Sequence, residues 1–256
     1  MIDIVLFSLK IDHRQPRTSQ VYEALKAAIL EVRLKPGTPI SESRICRQSS
    51  VSRTPVREAL IRLAQEQLID VFPQHGSFVS LICATKVAEG HFVRQTLELA
   101  MLKKAAERWS KSNTEAAESL LALQRAHASS RNYACFYRED ERFHHYIAEV
   151  ADLRGVSRVI VDANTHLTRV RQLANPVEGH MEEALREHEL ILAALDARNT
   201  EKAVAVLTQH LDRVFKTVKR LMQLHAEYFD DGTRVGYVSA KSDGFSARRR
   251  ATAAAS

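Results

Sequence analysis

Four residues of the types that bind transition metals lie on the apolar faces of predicted helices. Asp140 and His144 stand four residues apart in YREDERFHHYIAEV, so both side chains project from one face of a helix. His188 and His210 each lie within an apolar stripe of a later predicted helix (Leu185, Leu192 and Leu195; Leu207, Leu211 and Val214). A polar group buried without a partner costs roughly 1–3 kcal/mol or more, so all four side chains need partners.

Two kinds of partner would satisfy these side chains. Three neutral imidazoles and one carboxylate can surround a divalent cation and leave coordination positions open for a ligand. Alternatively, each histidine is an ordinary core residue that bonds a backbone carbonyl. The residue pattern alone leaves both alternatives open. The neighbouring His145 points about 100° away around the helix, so we expect it to be exposed.

A second candidate site lies in VSRTPVREALIRL, at residues 51–63. Ser52 is a good helix N-cap, and Pro55 is tolerated because it falls in the first turn. Arg53, Thr54 and Arg57 then occupy the exposed N-terminal end, which carries the positive pole of the helix dipole. Such a helix is a candidate nucleic-acid reader, and the alternative is a surface helix with two solvated arginines.

The elements before position 82 form a recognisable order. QVYEALKAAILEVR at 20–33 predicts a first helix, and SESRICRQSS allows a second, short one before the helix that Ser52 caps. Two strand-like runs then flank Gln74-His75-Gly76, which indicates a β-hairpin. Three helices followed by a hairpin predict a winged helix-turn-helix DNA-binding domain over 19–82, with its third helix in the major groove.

From position 85 the sequence is helical throughout, with almost no Gly or Pro. Six helices are predicted, at 86–109, 114–129, 133–150, 154–174, 181–197 and 201–226. They can enclose their own core, so we assign 85–228 to an all-α six-helix domain, and the fold class is mainly α. The first of these helices is apolar on more than one side, which suggests that a partner subunit covers part of it.

Composition and charge limit the classes of protein to which this chain can belong. The 256 residues are 45% hydrophobic with a net charge of +6, and no apolar run approaches a membrane span. Residues 1–80 and 231–256 each carry a net charge of +3, which favours an anionic polymer as partner of the N-terminal part. The three cysteines are scattered, which fits a cytoplasmic protein. We expect residues 1–18 to be a flexible arm and residues 230–256 a disordered basic tail.

With these residues identified, the chain resembles GntR-family bacterial transcription regulators of the FadR (FCD) branch. LKPGTPISE, VSRTPVREALIRL, QEQLI and PQHGSFV carry the resemblance over about 20–80. Over about 85–225 it rests on VRQTLELAMLKKAA, DERFHHYIAEVA and EHELILAALDARNTEKAVAVLTQHL. The resemblance implies that Asp140 and the three histidines bind a divalent metal, with zinc or nickel expected, and that a small organic or sugar acid binds beside it.

The resemblance also implies roles for single residues. Arg53, Thr54 and Arg57 match the residues that contact bases and phosphates, and His75 with Gly76 matches the tip of the wing. The full DNA-binding set that we predict is Arg44, Ser52, Arg53, Thr54, Pro55, Arg57, His75 and Gly76. Arg94 matches an arginine that meets a ligand carboxylate, and its alternative role is an interhelical salt bridge with Glu98 or another acid.

The chain departs from the family pattern in three places. Ile45-Cys46 replaces a usual Leu-Ala, and Gln67 replaces a glycine; we interpret both as packing changes. After the His144 helix, many relatives have Gly-Asn where this chain reads VADLR at 150–154. That difference weakens any inference about which ligand is bound.

The sequence therefore predicts a cytoplasmic, homodimeric, ligand-responsive regulator of the repressor type that binds a pseudo-palindromic operator. One alternative is a DNA-binding protein whose helical domain is purely structural. The other is a metal-dependent hydrolase or lyase, with Glu139 or Glu141 as general base. The reader helix and wing argue against an enzyme, since an enzyme has no need of them.

Overall fold

The computed structural model describes residues 11–12, 14–174 and 176–230, which form two compact units. Within the described residues, the first unit takes in 11–29, 33–81 and 230, and the second takes in 30–32 and 82–229. Most of the predicted N-terminal arm and the predicted tail from 231 onward lie outside the described residues. No described helix is both long and apolar enough to cross a membrane.

The first unit is a winged helix, as predicted. Its elements are α1 (Arg17–Leu30), β1 (Pro39–Ile40), α2 (Glu42–Ser49), α3 (Arg53–Gln65), β2 (Ile69–Phe72) and β3 (Gly76–Val79). The strands form one antiparallel sheet in the order β1-β3-β2, with Phe72 opposite Gly76 at the hairpin end. The sequence did not predict β1, because two residues are too short to show an alternating pattern.

One face of α3 is buried in the winged helix, and its N-terminal turn is exposed. Val56, Leu60 and Leu63 on α3 are buried, as are Leu25 and Ile29 on α1. At the side, the Arg62 guanidinium lies 3.8 Å from the ring centre of Tyr22, and Lys26 pairs with Glu66 at 2.8 Å. These contacts fix the direction of α3 and leave its N-terminal turn exposed.

The change from glycine to Gln67 affects the backbone rather than the packing. Gln67 has φ 58°, and its side chain is exposed. Its N–H donates to Ala64 O at 3.0 Å, and the Leu68 N–H donates to Leu63 O at 2.9 Å, which is the Schellman ending of a helix. Our interpretation of a packing change was therefore wrong at this position, although Ile45 does lie in the core.

The second unit is all-helical. Its helices are α4 (Ala84–Arg108), α5 (Lys111–Ser129), α6 (Tyr133–Val150), α7 (Arg154–Ala163), α8 (Thr165–Ala174), α9 (His180–Asp196) and α10 (Thr200–Leu224), followed by a 3-10 turn (Ala226–Tyr228). Helix α6 packs against α4 and α5, and α9 packs against α5 and α10. The helices therefore converge on one interior, where the four candidate ligands lie.

The predicted helix 154–174 is two helices, so the described part of this unit has seven helices rather than six. The break falls at Asn164, a residue type that favours helix ends because its side chain competes for backbone groups. Helix α4 approaches closely there, since a Cβ on Gly90 would lie 2.7 Å from Asn164 Oδ1. The sequence did not predict the break because neither Gly nor Pro marks it.

His166 makes this unit sensitive to acid. Its Nδ1 accepts the N–H of Cys83 at 3.1 Å, so that nitrogen must be unprotonated. Burial, together with the nearby positive charges of Arg169 and Lys86, lowers the pKa of His166 to about 3. The unfolded chain takes up this proton first, so stability is full above the ordinary histidine pKa and falls as the pH drops below it.

We expect this single group to cost about 2 kcal/mol of folding free energy between pH 7 and pH 5. In His166→Asn the side-chain oxygen can still accept the Cys83 N–H, but the group no longer titrates. Urea unfolding at both pH values should therefore show a smaller acid loss in His166→Asn than in the wild type. His127→Asn, on α5, is the control, and an equal acid loss in all three proteins would contradict the assignment.

Candidate metal centre and nucleic-acid interface

The structure brings all four candidate ligands into one buried cluster. Asp140 and His144 come from successive turns of α6, His188 from α9 and His210 from α10. One ligand atom from each lies within 4.8 Å of the others. Their exposed fractions are between 0% and 8%. Three helices therefore turn polar groups toward a single point in the interior.

Gln124 fixes the orientation of the His188 ring. The Gln124 side-chain nitrogen donates to Glu139 O at 3.1 Å, which leaves its Oε1 to accept from His188 Nδ1 at 2.9 Å. The proton of His188 is accordingly assigned to Nδ1 from this network. Its Nε2 is buried without a hydrogen-bond partner among the described residues, and it lies 3.7 Å from Asp140 Oδ1.

A carboxylate lies beside the Nδ1 atom of each of the other two imidazoles. Glu187 Oε2 lies 2.7 Å from His210 Nδ1 as a hydrogen bond. Glu98 Oε2 lies 2.8 Å from His144 Nδ1, although the angle there is not that of a hydrogen bond. Metal-binding histidines usually have such a partner on the nitrogen that does not bind the metal. The donor set and its supporting groups therefore fit a divalent transition metal.

The protonation states also suit metal binding. Burial lowers the pKa of His188 to about 3 and that of His210 well below its usual value, so both imidazoles are neutral at neutral pH. Burial alone would raise the pKa of Asp140, but Arg171, His188 and His144 hold it well below its usual range. A neutral imidazole and an ionised carboxylate are the forms that bind a metal.

Arg94 forms a salt bridge and also borders the cavity, but the salt bridge differs from the interhelical one expected from the sequence. Its Nε pairs with Glu98 Oε1 at 2.6 Å, but the two residues are four apart on α4, so the salt bridge is not interhelical. Its Nη2 is buried without a hydrogen-bond partner among the described residues. Arg94 also lines the central cavity. It therefore has one donor committed to Glu98 and another available to a ligand.

Two further arginines border the cluster. Arg171, on α8, forms short ion pairs with Asp140 and Glu141 on α6. Arg213, on α10, pairs with Glu187 at 2.7 Å. The sequence reasoning missed both arginines, because their partners depend on how the helices pack.

The cluster opens into a cavity of about 40 Å³. Its polar wall is formed by His91, Arg94, Tyr137, Asp140, Arg171, His180, His210, Arg213 and Thr217. At about 10–15 Å³ for one water, this volume holds roughly three water molecules. A metal ion with a small ligand fits in it only if that ligand is short or a wall side chain moves.

The predicted DNA-contacting residues occupy three places in the winged helix: the start of α3, helix α2 and the β2–β3 hairpin. Ser52, Arg53, Thr54 and Arg57 are exposed at the start of α3, where Pro55 lies within the first turn. Ser52 occupies the N-cap position, but its side chain makes no capping hydrogen bond.

The remaining residues of this set lie on α2 and on the hairpin. Arg44 is half-buried on α2, and His75 and Gly76 are exposed at the β2–β3 turn. Gly76 has φ +100°, a conformation that favours glycine. Arg57 is 3.5 Å from Glu42, and this exposed contact is weak.

Comparisons with known proteins identify the class. The family model described as "Bacterial regulatory proteins, gntR family" matches residues 17–79, and the model "FCD domain" matches residues 89–213. The HTH-type transcriptional repressor RspR of Escherichia coli K12 is 32% identical over 222 residues, covering 87% of this chain and 97% of that protein. A winged helix followed by a helical FCD domain is therefore a DNA-binding transcriptional regulator rather than an enzyme.

The chain belongs to the GntR family and carries an FCD domain. It is also 26% identical to a protein named as the probable D-xylose utilization operon transcriptional repressor of Paenarthrobacter nicotinovorans, covering 75% of this chain and 84% of that protein. Among solved structures, E. coli McbR/YncC matches with a TM-score of 0.67 at 22% identity, covering 82% of this chain and 99% of that one. This structural likeness shows the fold alone.

Proposed function

We propose that this protein is an effector-responsive repressor whose FCD domain holds one divalent metal at Asp140, His144, His188 and His210. The effector is a small carboxylate that binds beside the metal and weakens operator binding. The observation that carries this proposal is the orientation of His188. Its Nδ1 is hydrogen-bonded to Gln124, while its Nε2 is buried, has no hydrogen-bond partner in the part of the chain that the structure describes, and lies 3.7 Å from Asp140 Oδ1.

The donor set favours zinc or nickel. Three imidazoles and one carboxylate suit these metals better than magnesium or calcium, which prefer oxygen ligands. When bound, the metal supplies a Lewis-acidic position that accepts a carboxylate oxygen of the effector. The chain itself contributes the second anchor, because Arg94 lines the same cavity and its Nη2 is buried without a hydrogen-bond partner among the described residues.

The proposal of repression rather than activation is based on the names of two relatives. RspR and the D-xylose operon protein are both named as repressors. For this chain, effector binding and operator binding are coupled by a free energy that is commonly about 1–3 kcal/mol. We propose that effector binding favours a conformation of the protein with lower affinity for DNA.

The proposed DNA reader is the N-terminal turn of α3. Arg53, Thr54 and Arg57 are exposed there without an acidic residue in the turn, and the exposed pair of Arg57 with Glu42 is weak enough to give way to a base edge or a phosphate. His75 and Gly76 contact the adjacent backbone from the hairpin. Arg44, Ser52 and Pro55 complete the surface.

We propose that the functional form is a homodimer through the FCD domain, on a two-fold operator site. Phe92 on α4 is 70% exposed and Val159 on the adjacent α7 is 55% exposed, an arrangement that a second copy would cover. We expect Phe92→Glu to convert the full-length dimer to a monomer in sedimentation velocity. Leu123→Glu, at an exposed position on α5, is the control, and a Phe92→Glu variant that stays dimeric would exclude this face.

The proposed function is tested by thermal unfolding of the full-length protein in the presence of zinc or nickel. Sugar acids, hydroxy acids and dicarboxylates are added singly, with neutral sugars of similar size as controls. We expect at least one carboxylate to raise the unfolding temperature only when metal is present. If metal binds and no carboxylate changes the unfolding temperature, the FCD domain is structural and the sensing role is wrong.

A further inference from the structure

Two exposed residues of α3 are held by contacts with α1. Glu58 Oε2 accepts a hydrogen bond from the Thr18 hydroxyl at 2.8 Å. The Arg62 guanidinium lies 3.8 Å from the ring centre of Tyr22. Both side chains belong to one flank of the helix, because residues four apart lie on successive turns. This flank of α3 therefore makes its contacts within the winged helix.

Arg53, Arg57 and Ile61 form a second set on α3. They follow one another at intervals of four residues, so they lie on successive turns and within about 80° around the helix axis. All three are exposed, and Arg57 lies 3.5 Å from Glu42 on α2. The rise from Arg53 to Ile61 is about 12 Å, a length that a helix lying in the major groove can present to the bases. Ile61 therefore shares the face that carries the proposed arginine contacts.

Neither core packing nor helix propensity accounts for the isoleucine at position 61. Its side chain is 53% exposed, and it is the one large apolar side chain exposed on α3, whose residues are all described. A β-branched residue is a poorer helix former than alanine, lysine or arginine, because its rotamers are restricted in a helix. The remaining explanation is a contact with a bound molecule on the side of α3 where Arg53 and Arg57 lie.

We propose that Ile61 is a specificity-determining residue that contacts the C5 methyl group of a thymine in the major groove of the operator. This inference rests on the proposed function, in which α3 is the DNA reader. The thymine methyl is the apolar group that base edges present in the major groove, and the edge of cytosine presents an amino group instead. An apolar side chain among the reader arginines therefore favours thymine over cytosine at one position of each half-site.

The test removes the methyl group without changing base pairing, because uracil differs from thymine only at C5. Operator DNA selected on the wild-type protein is prepared with each thymine of a half-site replaced singly by uracil, and the affinity is measured by fluorescence anisotropy. We expect one replacement to weaken wild-type binding by about fourfold, as burial of one methyl-sized group implies. In Ile61→Ala, thymine and uracil at that position should bind equally, whereas Ile61→Val should keep most of the difference.

Leu190→Ala is the matched control, since it shortens an exposed apolar side chain on α9 and should keep the full uracil effect. Each protein is compared with itself on the two DNAs, so a general loss of affinity in Ile61→Ala cannot hide the result. The inference is overturned if no uracil weakens wild-type binding, or if uracil weakens the wild type and Ile61→Ala equally. Alanine variants of Arg53 and Arg57 test the reader itself: if both bind the operator as the wild type does, the proposed reader fails and this inference fails with it.

Discussion

Arg53→Ala and Arg57→Ala should each strongly weaken specific operator binding while leaving the fold and the oligomeric state unchanged. Both side chains are exposed at the N-terminal turn of α3, whose opposite face is anchored in the core. An arginine contact to a base edge is worth roughly 1–3 kcal/mol, which corresponds to a loss of about 5- to 150-fold in affinity. Fluorescence anisotropy with operator DNA selected on the wild-type protein measures this loss.

Unrelated DNA of the same length separates the two kinds of contact. A residue that reads a base should lose affinity for the operator alone, whereas a residue that contacts a phosphate should lose affinity for both DNAs and reduce the salt dependence. Arg125→Ala removes the same charge from the helical domain and should bind as the wild type does. Wild-type operator affinity in both α3 variants would contradict the assignment of the reader helix.

The second prediction with a large expected effect is the loss of bound metal when one of the four ligand residues is replaced. Wild-type protein purified without an affinity tag and supplied with zinc or nickel should hold one ion per chain by elemental analysis. His188→Ala and His210→Ala should each lose it, because each removes one of four ligands from a buried cluster. The same variants should lose the increase in unfolding temperature that metal gives the wild type.

His145→Ala is the control for this measurement, since its side chain is 49% exposed beside His144. It should retain the full metal content. If the wild type takes up no stoichiometric metal, the four residues form a polar core cluster in which Arg171 neutralises Asp140. Loss of metal in His145→Ala as well would point to a site different from the proposed one.

The sequence predicted the four cluster residues because each lies on a stripe that local periodicity makes visible. Asp140 and His144 share a helix face at a spacing of four, and His188 and His210 lie among leucines. The structure adds that the three stripes converge, because one ligand atom from each of the four residues lies within 4.8 Å of the others. Periodicity can predict that a side chain faces inward, but it does not determine which inward-facing residues meet.

The supporting groups illustrate that limit. Gln124 lies on an apolar stripe with Leu121 and Ala128, so its burial was visible in the sequence. Its contact with His188 on another helix depends on the relative rotation of α5 and α9, which single-helix patterns do not specify. Arg171 was missed for the same reason, because its partners belong to α6.

Helix ends were the other source of error. The break at Asn164 and the left-handed conformation of Gln67 occur without glycine or proline. Asp152, which stands in the region where many relatives have Gly-Asn, also has a positive φ of 59°. This departure from the family pattern therefore lies at the end of α6, and Asp152 does not line the cavity.

The most direct test of the central claim is operator release by a carboxylate that stabilises the metal-loaded protein. Full-length protein is titrated onto labelled operator with and without this acid, in zinc-loaded form, after removal of zinc by a chelator, and as His188→Ala. The account predicts that the acid weakens operator affinity by roughly 5- to 150-fold in the zinc-loaded wild type alone. Operator affinity that is unchanged by the acid, or weakened equally without metal, would contradict it.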